Sequence, residues 1–152
     1  VAVQYFSDGV LLMPNKVNID YFNYDFINQP DLAQTFVVCC CLKNIPFHFK
    51  GLKSLKIKET DRIEALKTEL AKFGFLLTEP AAGELAWSGE KKEACHFEET
   101  GEIFIETYDD HRMAMAFAPA ALMFPVAIEH PEVVSKSYPT FWDDIEKIDK
   151  RK

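Results

Sequence analysis

The stretch Thr60-Asp61-Arg62-Ile63-Glu64-Ala65-Leu66-Lys67-Thr68-Glu69-Leu70-Ala71-Lys72-Phe73-Gly74 decides how the chain is read. Ile63, Leu66, Leu70 and Phe73 recur at steps of three and four, the period of a helix that buries one face. Thr60 and Asp61 carry the short oxygen side chains that open helices, and Gly74 is the residue type that closes them in a left-handed turn. The spacing therefore predicts a helix that opens near Thr60-Asp61 and stops at Gly74.

Working outward, Gln29-Pro30-Asp31 precedes Leu32, Phe36, Val37, Cys40 and Cys41, which predicts a helix from about Asp31 to Leu42. A third helix should open at Asp110 and continue through Met113, Ala116, Phe117 and Ala120. A fourth should open near Ser137 to Pro139 and carry Phe141, Trp142, Ile145 and Ile148. Between the helices, Ile45 to Phe49 and Val126 to Glu129 read as strands. Phe75 to Thr78 with Glu84 to Trp87 reads as a hairpin, as does Val1 to Phe6 with Val10 to Met13 about Asp8-Gly9.

These elements repeat. The helix starts at 31 and 110 lie 79 residues apart, and those at 61 and 139 lie 78 apart, giving a unit of helix, strand, helix, hairpin and strand. By that unit, the chain opens inside a hairpin that ends an earlier unit and stops before its last unit is complete. We therefore expect a piece of a longer protein, holding one domain at most.

Composition narrows the function. With 17 Lys and Arg against 24 Asp and Glu, the chain carries a formal charge of −7. That balance argues against nucleic acid or an anionic membrane as partner. Hydrophobic residues make up 48% of the chain, enough for a packed core. The longest uncharged stretch, Met113 to Ile128, is interrupted by Pro119 and Pro125 and falls short of the roughly 20 residues of a bilayer span. Cys39, Cys40, Cys41 and Cys95 suit neither a disulfide framework nor a zinc site, because the pair Cys95-His96 has no second ligand pair at a workable spacing. We read them as reduced core thiols of a cytoplasmic protein and expect no metal and no cofactor.

The chemistry concentrates at helix entrances. Of only three arginines, Arg62 and Arg112 fall in the first turns of the second and third helices, beside Lys58 and His111. Free amide donors next to a guanidinium make an anion site. Lys58 and Lys136 stand 78 residues apart, and Asp31 and Asp110 stand 79 apart, so the repeat gathers cations and carboxylates at one end of the domain. The plainer alternative is that the arginines pair with Asp61, Asp109 or Asp110 as solvated surface charges, and that Asp31, Glu59 and Asp110 serve as caps and first-turn charges.

Lys58-Glu59-Thr60-Asp61-Arg62-Ile63, with Ala65-Leu66, Glu69-Leu70, Lys72 and Gly74, resembles a signature of the enolpyruvyl transferases that make 5-enolpyruvylshikimate 3-phosphate, the glyphosate target. Asp110-His111-Arg112-Met113-Ala114-Met115-Ala116 resembles a second signature, and Ser135-Lys136-Ser137-Tyr138-Pro139 with Phe141 resembles the C-terminal segment of that family. The resemblance implies an α/β (α+β) fold, an inverse α/β barrel domain built from repeated βαβαββ units and incomplete here. Residues 1–152 would supply most of the C-terminal domain of a two-domain protein whose N-terminal domain is absent. It also implies transfer of the enolpyruvyl group from phosphoenolpyruvate to shikimate 3-phosphate in a cleft between the two domains, by a parent expected to be a monomer.

Carried over by motif, Asp31 resembles the carboxylate that holds and deprotonates the attacking hydroxyl, and Glu59 the group that handles the methylene proton. Arg62 and Arg112 resemble the pair that clamps the phosphoenolpyruvate carboxylate, a task for planar bidentate donors. Lys136 resembles the lysine on its phosphate, and Lys58 the one on the shikimate hydroxyls. His111 and Asp110 would support the cluster, although His111 equally fits a satisfied first-turn histidine and Asp110 a plain N-cap. Acid and base roles remain undivided among Asp31, Glu59 and Lys136, because the titration of such a cluster belongs to the group. One departure is Ser54, where relatives carry an asparagine four residues before the lysine of the first signature. Two other readings share the fold: the transferase acting on a UDP-N-acetylglucosamine hydroxyl, and a non-catalytic binding domain.

Overall fold

The computed structural model describes residues 2–14, 18–58, 60–92 and 101–149. Among these residues are seven strands: β1 (Ala2–Tyr5), β2 (Val10–Met13), β3 (Phe22–Asp25), β4 (Phe47–Lys50), β5 (Leu85–Trp87), β6 (Ile103–Ile105) and β7 (Val126–Ile128). Four α-helices accompany them: α1 (Ala33–Leu42), α2 (Arg62–Lys72), α3 (His111–Phe117) and α4 (Phe141–Asp149). The architecture is mixed α/β. β3 and β4 pair in parallel around α1, and β6 and β7 pair in parallel around α3; each parallel pair is followed by a 3-10 turn, Lys53–Ile57 or Pro131–Lys136, and then by α2 or α4. This recurring order follows the internal period of the sequence.

The helix from Thr60-Asp61 to Gly74 forms as expected. Asp61 caps α2, its carboxylate accepting from the amides of Ile63 and Glu64. Gly74 closes it at φ +85°, where any other L-residue would be strained. Ile63, Leu66 and Leu70 are fully buried along the inner face. The helix expected from Asp31 begins later: Pro30–Leu32 is a 3-10 turn, and α1 follows from Ala33. The helix expected to reach Ala120 ends at Phe117 and continues as a 3-10 turn over Ala118–Leu122, because Pro119 has no amide hydrogen to donate to the preceding turn.

The hairpin expected at Phe75–Thr78 and Glu84–Trp87 is reduced to the single bridge Thr78↔Ala86. β5 instead pairs antiparallel with β4, in a register that sets Phe47 against Trp87 and Phe49 against Leu85, all four buried. β5 thus lies between β4 and Thr78, its main pairing made with the buried strand β4. α1 packs on both α2 and α3, so the N-terminal ends of three segments converge: the turn Pro30–Leu32, the start of α2 and the start of α3.

Cys40 and Cys41 lie buried on α1, whereas Cys39 is exposed. Burial pushes the Cys40 thiol up to about 12 and raises Cys41 as well, so both stay protonated at neutral pH. Native protein treated with iodoacetamide should therefore be alkylated at Cys39 well before Cys40 or Cys41, which should react only on unfolding. Site-resolved mass spectrometry checks this, and equal rates at the three positions would contradict it. Cys95 and His96 lie outside the described residues.

Candidate active site

Asp31 stands in the 3-10 turn ahead of α1 and caps neither that turn nor the helix. Its carboxylate is left to bind cations from three other positions. Arg62 Nη1 lies 3.0 Å from Oδ1, Arg112 Nη2 lies 3.1 Å from Oδ2, and Lys58 Nζ lies 3.8 Å from Oδ1. Arg112 Nη1 also donates to the Asp31 carbonyl at 3.3 Å. Asp31, Lys58 and Arg112 remain partly open to solvent.

Behind them is a buried layer. Arg62 Nε donates to Asp110 Oδ2, and both side chains are removed from water. Asp110 is also the N-cap of α3, Oδ1 accepting from the Arg112 amide at 2.9 Å, so the cap and the ion pair are made by the same carboxylate. Gln34 is buried beside them; with its amide oriented to satisfy both ends, Nε2 donates to the Asp31 carbonyl and Oε1 accepts from Arg62 Nε. His111 Nδ1 sits 4.0 Å from Asp110 Oδ1.

The turn that delivers Asp110 is strained. Tyr108 and Asp109 have φ of 55° and 54°, and the Asp110 amide donates to the Thr107 carbonyl at 2.9 Å, a chain reversal with both central residues left-handed. Such a conformation costs a non-glycine residue about 1–2 kcal/mol, less for Asp than for Tyr. The Tyr108 hydroxyl donates to Glu69 at 2.8 Å. Burial, then the bonded Glu69 carboxylate, push the Tyr108 phenol above its ordinary range, so it stays a neutral donor.

The structure thus brings together Asp31, Lys58, Arg62, Asp110, His111 and Arg112. Lys136 ends the 3-10 turn that packs on α3 and is exposed. Glu59 lies outside the described residues, while Ser54 sits in the 3-10 turn that leads to Lys58. Sequence reasoning passed over Gln34 and Tyr108. A polar residue inside the apolar run of α1 was the available sign of Gln34; nothing local marks Tyr108, whose role comes from its partner on α2.

Chemically, Lys58 and Arg112 stand partly open beside Asp31, with Arg62 and Asp110 buried behind them. Arg112 and Lys58 can turn toward an incoming anion, whereas Arg62 is fixed by its buried partners. Among the described residues no group of three or more His, Cys, Asp or Glu could hold a metal ion, and no helix is long and apolar enough to cross a membrane.

Comparison with known proteins agrees with this chemistry. The family model described as EPSP synthase (3-phosphoshikimate 1-carboxyvinyltransferase) matches residues 8–145. The chain is 53% identical over 148 residues to a protein of Bacteroides fragilis named 3-phosphoshikimate 1-carboxyvinyltransferase, covering 97% of this chain and 35% of that protein. It is 36% identical over 128 residues to the protein of that name from Cellvibrio japonicus, covering 84% of this chain and 28% of that protein, and 46% identical over 101 residues to the one from Aquifex aeolicus, covering 65% and 22%. The chain spans about a third or less of the length of these curated relatives. A match over nearly the whole chain, on a fold that gathers the two signature arginines about Asp31, means that the chain belongs to the EPSP synthase family.

Proposed function

We propose that the chain is most of the C-terminal domain of a two-domain cytoplasmic enolpyruvyl transferase, an inverse α/β barrel of repeated βαβαββ units. The full-length parent would transfer the enolpyruvyl group of phosphoenolpyruvate to the 5-hydroxyl of shikimate 3-phosphate. The observation that carries this reading is the Asp31 carboxylate held by Arg62, Arg112 and Lys58 where α2 and α3 begin. The share of its relatives that it covers supports the fragment, as does the ribbon β1–β2, whose Val3, Tyr5, Val10, Leu11 and Leu12 are all exposed and await a neighbour.

In the addition step, the 5-oxygen bonds to C2 of phosphoenolpyruvate while C3 gains a proton and the hydroxyl loses one. Elimination then breaks the C2–O bond to phosphate and removes a proton from the new methyl group. Asp31 is the group poised for the hydroxyl, with Glu59 and Lys136 completing the set of acids and bases. Arg112 supplies the open forked donor for the carboxylate of phosphoenolpyruvate, with Arg62 as the fixed inner member of the same clamp, Lys136 a point charge for its phosphate, and Lys58 a contact for the shikimate ring hydroxyls. Asp110 holds Arg62 and the Arg112 amide, and His111 stands beside Asp110. A local cation cluster lets an acidic protein bind two polyanions.

Phosphate release is the test. The parent should release phosphate with phosphoenolpyruvate and shikimate 3-phosphate but not with UDP-N-acetylglucosamine as acceptor. Residues 1–152 alone should release none, because the facing half of the cleft is missing. Release with the sugar nucleotide would overturn the substrate, and turnover by the isolated chain would overturn the division of the site between domains.

A further inference from the structure

Among the described residues, Glu69 is the one fully buried carboxylate besides Asp110, and the ion cluster does not use it. It lies two turns beyond Arg62 on α2, reaches the segment between β6 and α3 directly at two points, and reaches β6 through Lys72. Oε1 accepts from the Tyr108 hydroxyl at 2.8 Å, Oε2 accepts from the Glu106 amide at 3.2 Å, and Oε2 binds Lys72 Nζ at 2.6 Å, which itself donates to the Phe104 carbonyl at 2.8 Å. Glu106 in turn accepts from the Tyr108 amide at 2.9 Å. α2 is therefore joined to this segment at two places: through Arg62 and Asp110 at its first turn, and through Glu69 and Tyr108 two turns on.

We propose that Glu69 and Tyr108 are positioning residues, a brace that holds the left-handed turn Tyr108-Asp109 and thereby fixes Asp110, Arg62 and Arg112 relative to one another. Two successive non-glycine residues with positive φ persist only where the surroundings over-determine them. Here the hydroxyl of the first is anchored to a buried charge, and the carbonyl before it is anchored by the Asp110 amide. If the turn relaxed, the Asp110 carboxylate would leave both the α3 cap and Arg62 Nε, and the guanidiniums about Asp31 would lose their spacing.

The functional half of this inference rests on the anion-site reading above, so its test has two readouts. In the full-length parent, Tyr108→Phe removes only the hydroxyl; Glu69→Gln keeps the shape and removes the charge. Ligand-free hydrogen exchange at the Glu106 and Asp110 amides should quicken about tenfold in Tyr108→Phe, with amides of β4 unchanged. The KM for phosphoenolpyruvate should rise about fivefold while kcat and the KM for shikimate 3-phosphate stay within about twofold, and Glu69→Gln should fall between this variant and the wild type. Unchanged exchange at Glu106 and Asp110 would overturn the brace. Faster exchange with no preferential change in the phosphoenolpyruvate KM would overturn its positioning role. A wild-type parent without phosphate release would sink the anion-site reading instead, and exchange would still decide the brace.

Discussion

Arg62→Ala should lower the stability of the protein by about 3–5 kcal/mol, the cost of stripping a buried charge of its partner. Arg62 is almost wholly buried, and its guanidinium bonds Asp110, which has no exposed surface. Removing it leaves the Asp110 carboxylate facing a void, with only the Arg112 amide as a strong donor and His111 at 4.0 Å. Asp31 loses its closest cation as well. A fall in Tm on the order of 10 °C follows for a domain of this size. Arg62→Lys should recover part of it: the charge returns, but one ammonium cannot reach Asp110, Asp31 and Gln34 together as the fork does. The decisive comparison is the double variant Arg62→Met, Asp110→Leu, which removes both charges and should lie closer to wild type than Arg62→Ala does. If Arg62→Ala melts with the wild type, then the ion pair is not the buried keystone of the domain.

That dependence shows what the sequence could and could not disclose. The bounds of α2 were readable because their causes are local: Asp61 bonds amides two and three residues on, and Gly74 takes a conformation few other residues accept. The positions of Lys58, Arg62, Asp110 and Arg112 at helix entrances were readable for the same reason, reinforced by the repeat. The pairing among them was not. Asp31 has the sequence context of a cap, yet its carboxylate goes to two arginines brought from 31 and 81 residues away. Strand β3 was missed because Phe22-Asn23-Tyr24-Asp25 acquires its role only from parallel pairing with β4 across α1. The 3-10 turns at Lys53–Ile57 and Pro131–Lys136 are too short for periodicity to register, although they carry the chain into α2 and α4. Tyr108 looked like an ordinary loop residue until Glu69 was found beneath it.

Asp31 and Arg112 touch, and their removal should nevertheless have opposite kinetic signatures. In the full-length parent, Arg112→Ala deletes two charge-assisted donors from a partly open site, a loss of about 3 kcal/mol that appears as a rise of roughly 100-fold in the KM for phosphoenolpyruvate. Since such a clamp holds the carboxylate equally before and during reaction, kcat should change much less. Asp31→Asn does the reverse. It removes the negative charge that Arg62, Arg112 and Lys58 now share, so the cluster becomes more positive and the KM for phosphoenolpyruvate should hold or fall. If Asp31 takes the hydroxyl proton, as proposed, kcat should drop about 10²–10⁴-fold in the same variant. Steady-state kinetics separate the two outcomes. Were Asp31→Asn instead to raise the KM for phosphoenolpyruvate with kcat intact, Asp31 would be only the counter-ion that shapes the arginine pair, and the base would have to come from Glu59 or Lys136.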